Sequence, residues 1–149
     1  SGRVVYPGPG TNVYAHLHVE DAARVMILVA RRRWQGISAV ADEQPATWNE
    51  FFAVIARLYP RMRLVRVPSA LALAATTALT AIRRSRRRPF LYTPDAVRGA
   101  NMALPVAAGL LWDELGERPR YATIEDGIPA VLDDCVAFRW LHPLADREG

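Results

Sequence analysis

His16 and His18, one residue apart, with Glu20 two residues further on, are the first side chains of this sequence whose types suggest chemistry. In an extended segment such residues point to one side, so the three could be arranged around a metal ion. Asp21 offers a carboxylate that could act as a general base, but at a helix start it fits better as a partner for the positive end of the helix dipole. Cys135 is the single cysteine and can build neither a disulfide framework nor a thiolate metal site, so it reads as an inert core thiol. Gly8-Pro9-Gly10 has the outline of a phosphate loop, yet its proline removes an amide donor and no strand-loop-helix unit surrounds it. All 19 basic residues are arginine, and there is no lysine. The densest group, Arg83, Arg84, Arg86, Arg87 and Arg88, reads either as a solvated loop or as an attractor of anionic lipid, nucleic acid or a phosphorylated substrate.

With 149 residues, 51% hydrophobic and 23% charged, the sequence has the size and balance of one globular domain spanning residues 1–149. Its longest apolar run, residues 70–82, is too short to cross a bilayer and is diluted by threonines. Neither a signal-peptide core nor a transit peptide is recognisable at the amino terminus, so a cytoplasmic location is expected by default.

Local signals place about six helices and two or three short strands. A short apolar run at Val4-Val5 breaks into a Pro/Gly loop, and residues 13–18 read as a short extended segment. A helix then opens at Glu20-Asp21 and closes on Arg31-Arg32-Arg33, with Gly36 just beyond. Residues 37–41 read as a strand. Thr47 and Glu50 form a capping box ahead of the apolar stripe of Phe51, Phe52, Val54, Ile55 and Leu58. Residues 62–68 alternate as a half-exposed strand, and Ser69 is expected to cap an alanine-rich helix reaching about Arg84. Thr93-Pro94-Asp95 starts a short helix with proline at its first position. Residues 105–115 are expected to form another helix. Thr123 caps a last one, in which Pro129 should delay the regular turns because it removes a hydrogen bond and clashes with the preceding carbonyl.

In their order these signals resemble the second half of extended short-chain dehydrogenases/reductases, particularly the NAD-dependent epimerase/dehydratase and 3-beta-hydroxysteroid dehydrogenase branches. Tyr6-Pro7-Gly8-Pro9-Gly10 looks like that family's Tyr-Gly-Pro-Gly loop, with Pro7 as an extra residue. Leu17-His18-Val19-Glu20-Asp21-Ala22-Ala23 is similar to its His-Val-(Asp/Glu)-Asp-x-Ala helix start. Gly36 to Val40, followed by Thr47-Trp48-Asn49-Glu50, is similar to its Gly-x-x-(Tyr/Phe)-x-(Val/Ile) strand and Thr-x-x-Glu helix, and Arg66-Val67-Pro68 falls at its Val-Pro turn. Leu115-Gly116-Glu117-Arg118-Pro119 and Glu125-Asp126-Gly127-Ile128 resemble its Leu-Gly-(Tyr/Trp)-x-Pro and Glu-(Glu/Asp)-Gly-(Ile/Leu) passages, with Glu117 where the family usually has an aromatic residue.

The resemblance implies an α/β, mainly helical substrate-binding lobe without its Rossmann domain. It places Tyr6, Gly8 and Gly10 beside NAD or NADP, and makes Arg63, Arg66, Phe90 and Arg98 the candidates for holding substrate, the arginines through bidentate contacts. It makes His18 a structural residue that caps or braces the helix after it. The family's Tyr-x-x-x-Lys pair, its activating Ser/Thr and its dinucleotide loop lie upstream of the matched passages. A lysine-free chain cannot supply that dyad, so no residue here is expected to be catalytic. The expected partners are a small-molecule substrate, either steroid- or isoprenoid-like, which the apolar residues 70–82 favour, or a nucleotide sugar whose diphosphate Arg63, Arg66 or Arg98 would hold, and a Rossmann domain in cis or as a partner chain. The family joins residues 37–41 to the edge of its Rossmann sheet, so in its absence an unpaired edge is expected, with self-association through it or marginal stability of the isolated chain. The other reading is a non-enzymatic basic module that docks on anionic membrane or nucleic acid through the arginine cluster at residues 83–88.

Overall fold

A computed structural model describes residues 3–60, 62–85, 92–106 and 110–140. The fold is mixed α/β and about half helical, with four short strands and six helices among the described residues. Strand β1 (Arg3–Pro7) pairs in parallel with β4 (Arg63–Val67), with Val5 opposite Val65 and Pro7 opposite Val67. Strand β2 (Val13–Tyr14) pairs antiparallel with β3 (Ala46–Thr47) and is bridged on its other side by Leu104.

The helices are α1 (Val19–Arg32), α2 (Trp48–Leu58), α3 (Ser69–Ser85), α4 (Pro94–Ala100), α5 (Leu110–Glu114) and α6 (Ile124–Ala137). No described helix is long and apolar enough to cross a membrane. Three starts follow the expected cap chemistry. Thr47 and Glu50 close a reciprocal capping box, Thr93 Oγ1 accepts the Ala96 N–H with Pro94 at the first position, and Thr123 accepts the Asp126 N–H.

Four expectations need correction. Residues 37–41 form no strand: no strand among the described residues lies beside them to complete a ladder, and Ile37 is fully exposed. Of the helix expected over residues 105–115, the described part is α5, and residues 105 and 106 are not helical, while residues 107–109 lie outside the described residues. Leu104 both donates to Val13 O and accepts from Ala15 N–H, so the backbone before Pro105 is committed to an extended bridge, which also suits a residue that precedes proline. Ser69 is the first residue of α3 instead of its cap, and its hydroxyl bonds Asn101 Oδ1 at 3.1 Å. Pro129 does not delay α6, which starts at Ile124. The carbonyl that loses its donor belongs to exposed Glu125, where water can satisfy it.

Two apolar clusters form the core. Under α1 and α5 lie Val25, Leu111, Trp112 and Leu115, and between α2 and α6 lie Ala46, Val54, Ile124 and Ile128. Trp112 is nearly sealed at 1% exposure and donates its indole N–H to Ala41 O at 3.4 Å, tying the loop before β3 to the first cluster. Asp21 is wholly buried. Its carboxylate accepts the backbone N–H groups of Arg120 at 2.8 Å and Tyr121 at 2.9 Å, fixing the approach to α6 against the start of α1. Glu117, in place of the resemblance's aromatic residue, pairs with Arg24 and lies 3.6 Å from Arg32, so a charge network occupies that corner.

Candidate functional site

The loop after β1 is built around two asparagines. Gly8 has φ 113° and Gly10 φ 71°, conformations that favour glycine. A Cβ on Gly8 would collide with Asn101 Oδ1, and one on Gly10 with Asn49 Oδ1. The Gly8 amide donates to Val67 O at 2.8 Å, Pro9 has no donor, and the buried Tyr6 hydroxyl donates to Ala100 O. Burial raises the Tyr6 phenol above its ordinary range. The Gly8 amide and the Tyr6 hydroxyl thus serve the fold, and the chain has no lysine to hold a ribose.

The substrate candidates are only partly brought together. Arg66 lies on the face of β4 that turns toward α2, and its Nη2 donates to Asn49 Oδ1 at 2.8 Å, which links it to Gly10. Arg63 lies at the opposite end of the same strand, beside Arg3. Arg98 is exposed on α4 and paired with Asp95 at 2.7 Å. Phe90 and Arg86, Arg87 and Arg88 lie outside the described residues.

A different place collects polar groups in an apolar setting. A cleft of about 280 Å³ opens between the segment after β2, the loop ahead of β3, α2 and α6. Its polar lining includes His16, His18 and Asp42; its apolar walls include Tyr14, Phe51 and Val131. The rings hold each other in place: Tyr14 stacks on Trp48 at 3.9 Å, His16 lies parallel to Phe51 at 5.8 Å, and His18 rests on Tyr121 at 3.9 Å. Gly127 lets the His18 ring lie against α6, since a Cβ there would stand 3.3 Å from His18 Cδ2.

Backbone bonds assign a role to each polar atom. His18 is the N-cap of α1: its Nδ1 accepts the Glu20 N–H at 3.2 Å, so that nitrogen is unprotonated and the neutral ring carries its hydrogen on Nε2. This agrees with the capping role that the resemblance implies. His16 bonds the Ala46 backbone in a way that favours the protonated ring, so the ring donates, and Nδ1 makes that bond because Nε2 has no partner within the protein. Burial outweighs that bond and holds the His16 pKa below its ordinary value. Asp42 donates its own N–H to His16 O at 2.7 Å, and its carboxylate accepts the His18 backbone N–H. Burial, with a contribution from the Asp21 carboxylate, pushes the Asp42 pKa up to about 6.

Three atoms in this cleft, His16 Nε2, His18 Nε2 and Asp42 Oδ1, are buried without a hydrogen-bond partner in the protein. Asp42, Tyr14 and Phe51 were not singled out from the sequence as site residues. The available signal was an acid directly after the small apolar run Ala39-Val40-Ala41. Glu20, the third member of the imagined metal group, bonds Arg120 at 2.9 Å instead, and no group of three or more metal-ligating side chains is assembled among the described residues. No family model matches the chain, and no curated protein matches it.

Proposed function

We propose that this chain is the substrate-binding lobe of an NAD(P)-dependent oxidoreductase or epimerase of the extended short-chain dehydrogenase type, working against a dinucleotide-binding domain that supplies the catalytic dyad. The observation that carries the reading is the β1–β4 pair. Parallel strands occur almost only inside larger sheets covered on both faces. Here the parallel sheet holds only two strands among the described residues, and the facing side chains Val5 and Val65 are 64% and 41% exposed.

Two further apolar surfaces favour a partner. Val19, Met26 and Ile27 lie exposed on α1 at helical spacing, and Ile37 stands in solvent at the start of a segment outside any described strand or helix. In this reading the partner domain binds NAD or NADP, Tyr6, Gly8 and Gly10 shape the wall beside it, and Arg63, Arg66, Phe90 and Arg98 meet the substrate.

The test joins the chain to the dinucleotide-binding half of an extended short-chain dehydrogenase and follows amide hydrogen exchange and NADPH fluorescence. The expected result is cofactor binding by the hybrid alone, with new protection at Val4, Val5 and residues 37–41. Turnover of a nicotinamide substrate by the unaided chain, or a hybrid without new protection, overturns the proposal.

A further inference from the structure

None of Arg63, Arg66 or Arg98 lines the His16–His18–Asp42 cleft, so the cleft is a separate feature from the arginines of the substrate surface proposed above. His18 and Asp42 are only 6% and 5% exposed. A buried polar atom without a partner costs about 1–3 kcal/mol, so three around one space call for an occupant that satisfies them. The chemistry of the three is mixed. In the neutral rings His18 Nε2–H donates and His16 Nε2 accepts, while Asp42 Oδ1 accepts when ionised.

We propose that the cleft is a binding site for a small, neutral, largely apolar molecule bearing a hydroxyl group, with the hydroxyl oxygen accepting from His18 Nε2–H and its proton donated to Asp42 Oδ1 or His16 Nε2. A hydroxyl is the smallest group that donates and accepts at one atom, so it meets both kinds of partner together. The walls argue for the rest of the molecule: Tyr14, Phe51, Ile128 and Val131 present apolar or aromatic surface. The environment also disfavours charge, since burial drives His16 toward its neutral form and holds Asp42 well above the usual carboxylate range. Size narrows the class further. About 280 Å³ lies at the lower edge of small-ligand pockets, which suits a single-ring phenol or a short alcohol rather than a multi-ring substrate.

The test titrates the 149-residue chain with phenol and, separately, with toluene, reading the ring Cε1–Hε1 signals of His16 and His18 by NMR. Saturable shifts at both rings are expected, with phenol bound at least about tenfold more tightly than toluene, the effect of one good hydrogen bond in a desolvated site. Asp42→Ala should weaken phenol by about the same factor. Val131→Trp places bulk at the cleft wall from a position that is 41% exposed, outside both core clusters, and should abolish binding while leaving thermal unfolding unchanged. The Val131→Trp result decides the matter should Asp42→Ala fail to fold. Non-saturable shifts, equal affinity for toluene, or undiminished phenol binding by Val131→Trp would mean that the cleft holds ordered water only, and would overturn the proposal.

Discussion

Replacing Asp42 with asparagine keeps the shape of the side chain and removes its ability to ionise, which isolates the cost of a carboxylate beside the cleft. Burial is the main cause of its raised pKa; the Asp21 carboxylate adds to the rise, while the bond from the His18 backbone N–H opposes it. A folded-state pKa of about 6 against an ordinary 3.8 means that the native state holds this proton more tightly than the unfolded chain does. The stabilisation is therefore complete below about pH 4 and is lost as pH rises through about 6. At about 1.36 kcal/mol per pH unit, the gap amounts to about 3 kcal/mol. The substituted amide cannot lose a proton, so the stability difference between Asp42→Asn and the parent should swing by about 3 kcal/mol in favour of the variant between about pH 4 and pH 7. His16 bends both curves the other way: its pKa is depressed, so its contribution is present above the ordinary histidine value of 6.5 and fades as pH falls. It is common to both proteins and cancels to first order in the difference. Urea unfolding followed by tryptophan fluorescence, at whole pH steps, measures the swing. A difference that stays flat within about 0.5 kcal/mol, or an Asp42 carboxyl that titrates near 4 by NMR, refutes the argument.

Asp21→Ala should leave the Arg120 and Tyr121 amides without their acceptor, costing about 2–4 kcal/mol and speeding hydrogen exchange at those two positions first. Thr47→Ala opens the capping box of α2 and should cost about 1 kcal/mol in chemical denaturation, with m unchanged. Trp112→Ala should cost about 3–5 kcal/mol, because a side chain at 1% exposure leaves a cavity that its neighbours cannot fill. Changing Arg83, Arg84, Arg86, Arg87 and Arg88 to glutamine should leave binding to phosphatidylserine vesicles unchanged in a sedimentation assay. A loss of binding would instead favour the basic docking module.

The parts of the fold legible in the sequence are those fixed by neighbours in the chain. Thr47 with Glu50, Thr93 with Pro94, and the acids at Glu20-Asp21 all act within one helical turn, and each helix starts where these residues place it. What escaped depends on distant partners. The Val4-Val5 run becomes a strand only because residues 63–67 run parallel to it, and residues 37–41, with an equally strand-like pattern, have no neighbouring strand among the described residues. The cleft escaped for the same reason. His16 and His18 drew attention through their spacing, but they acquire meaning only from Asp42, which reaches them through its own N–H bond to His16 O. Asp21, read as a dipole partner, also holds two amides about a hundred positions away, which its helix-start motif does not foretell.

The segment between α1 and β3 connects the two unexplained surfaces of this molecule. Exposure falls along it from Ile37, fully in solvent, through half-buried Val40 to Ala41 and Asp42, both buried. Few bonds hold its inner end: Trp112 donates to Ala41 O, Asp42 N–H bonds His16 O, and Glu43 N–H bonds Ala122 O at 3.1 Å. A strand laid along residues 37–41 would therefore end directly beside the carboxylate that lines the cleft. Side chains alternate along an extended chain, so a one-residue slip in such a pairing would turn every side chain of the segment to the opposite face. The anchored inner end resists that slip, because turning Asp42 away would break its bond to the His18 N–H and leave a charge without its donor. The bonds at the inner end thus hold Asp42 at the cleft, while Ile37 at the outer end of the same segment lies in solvent.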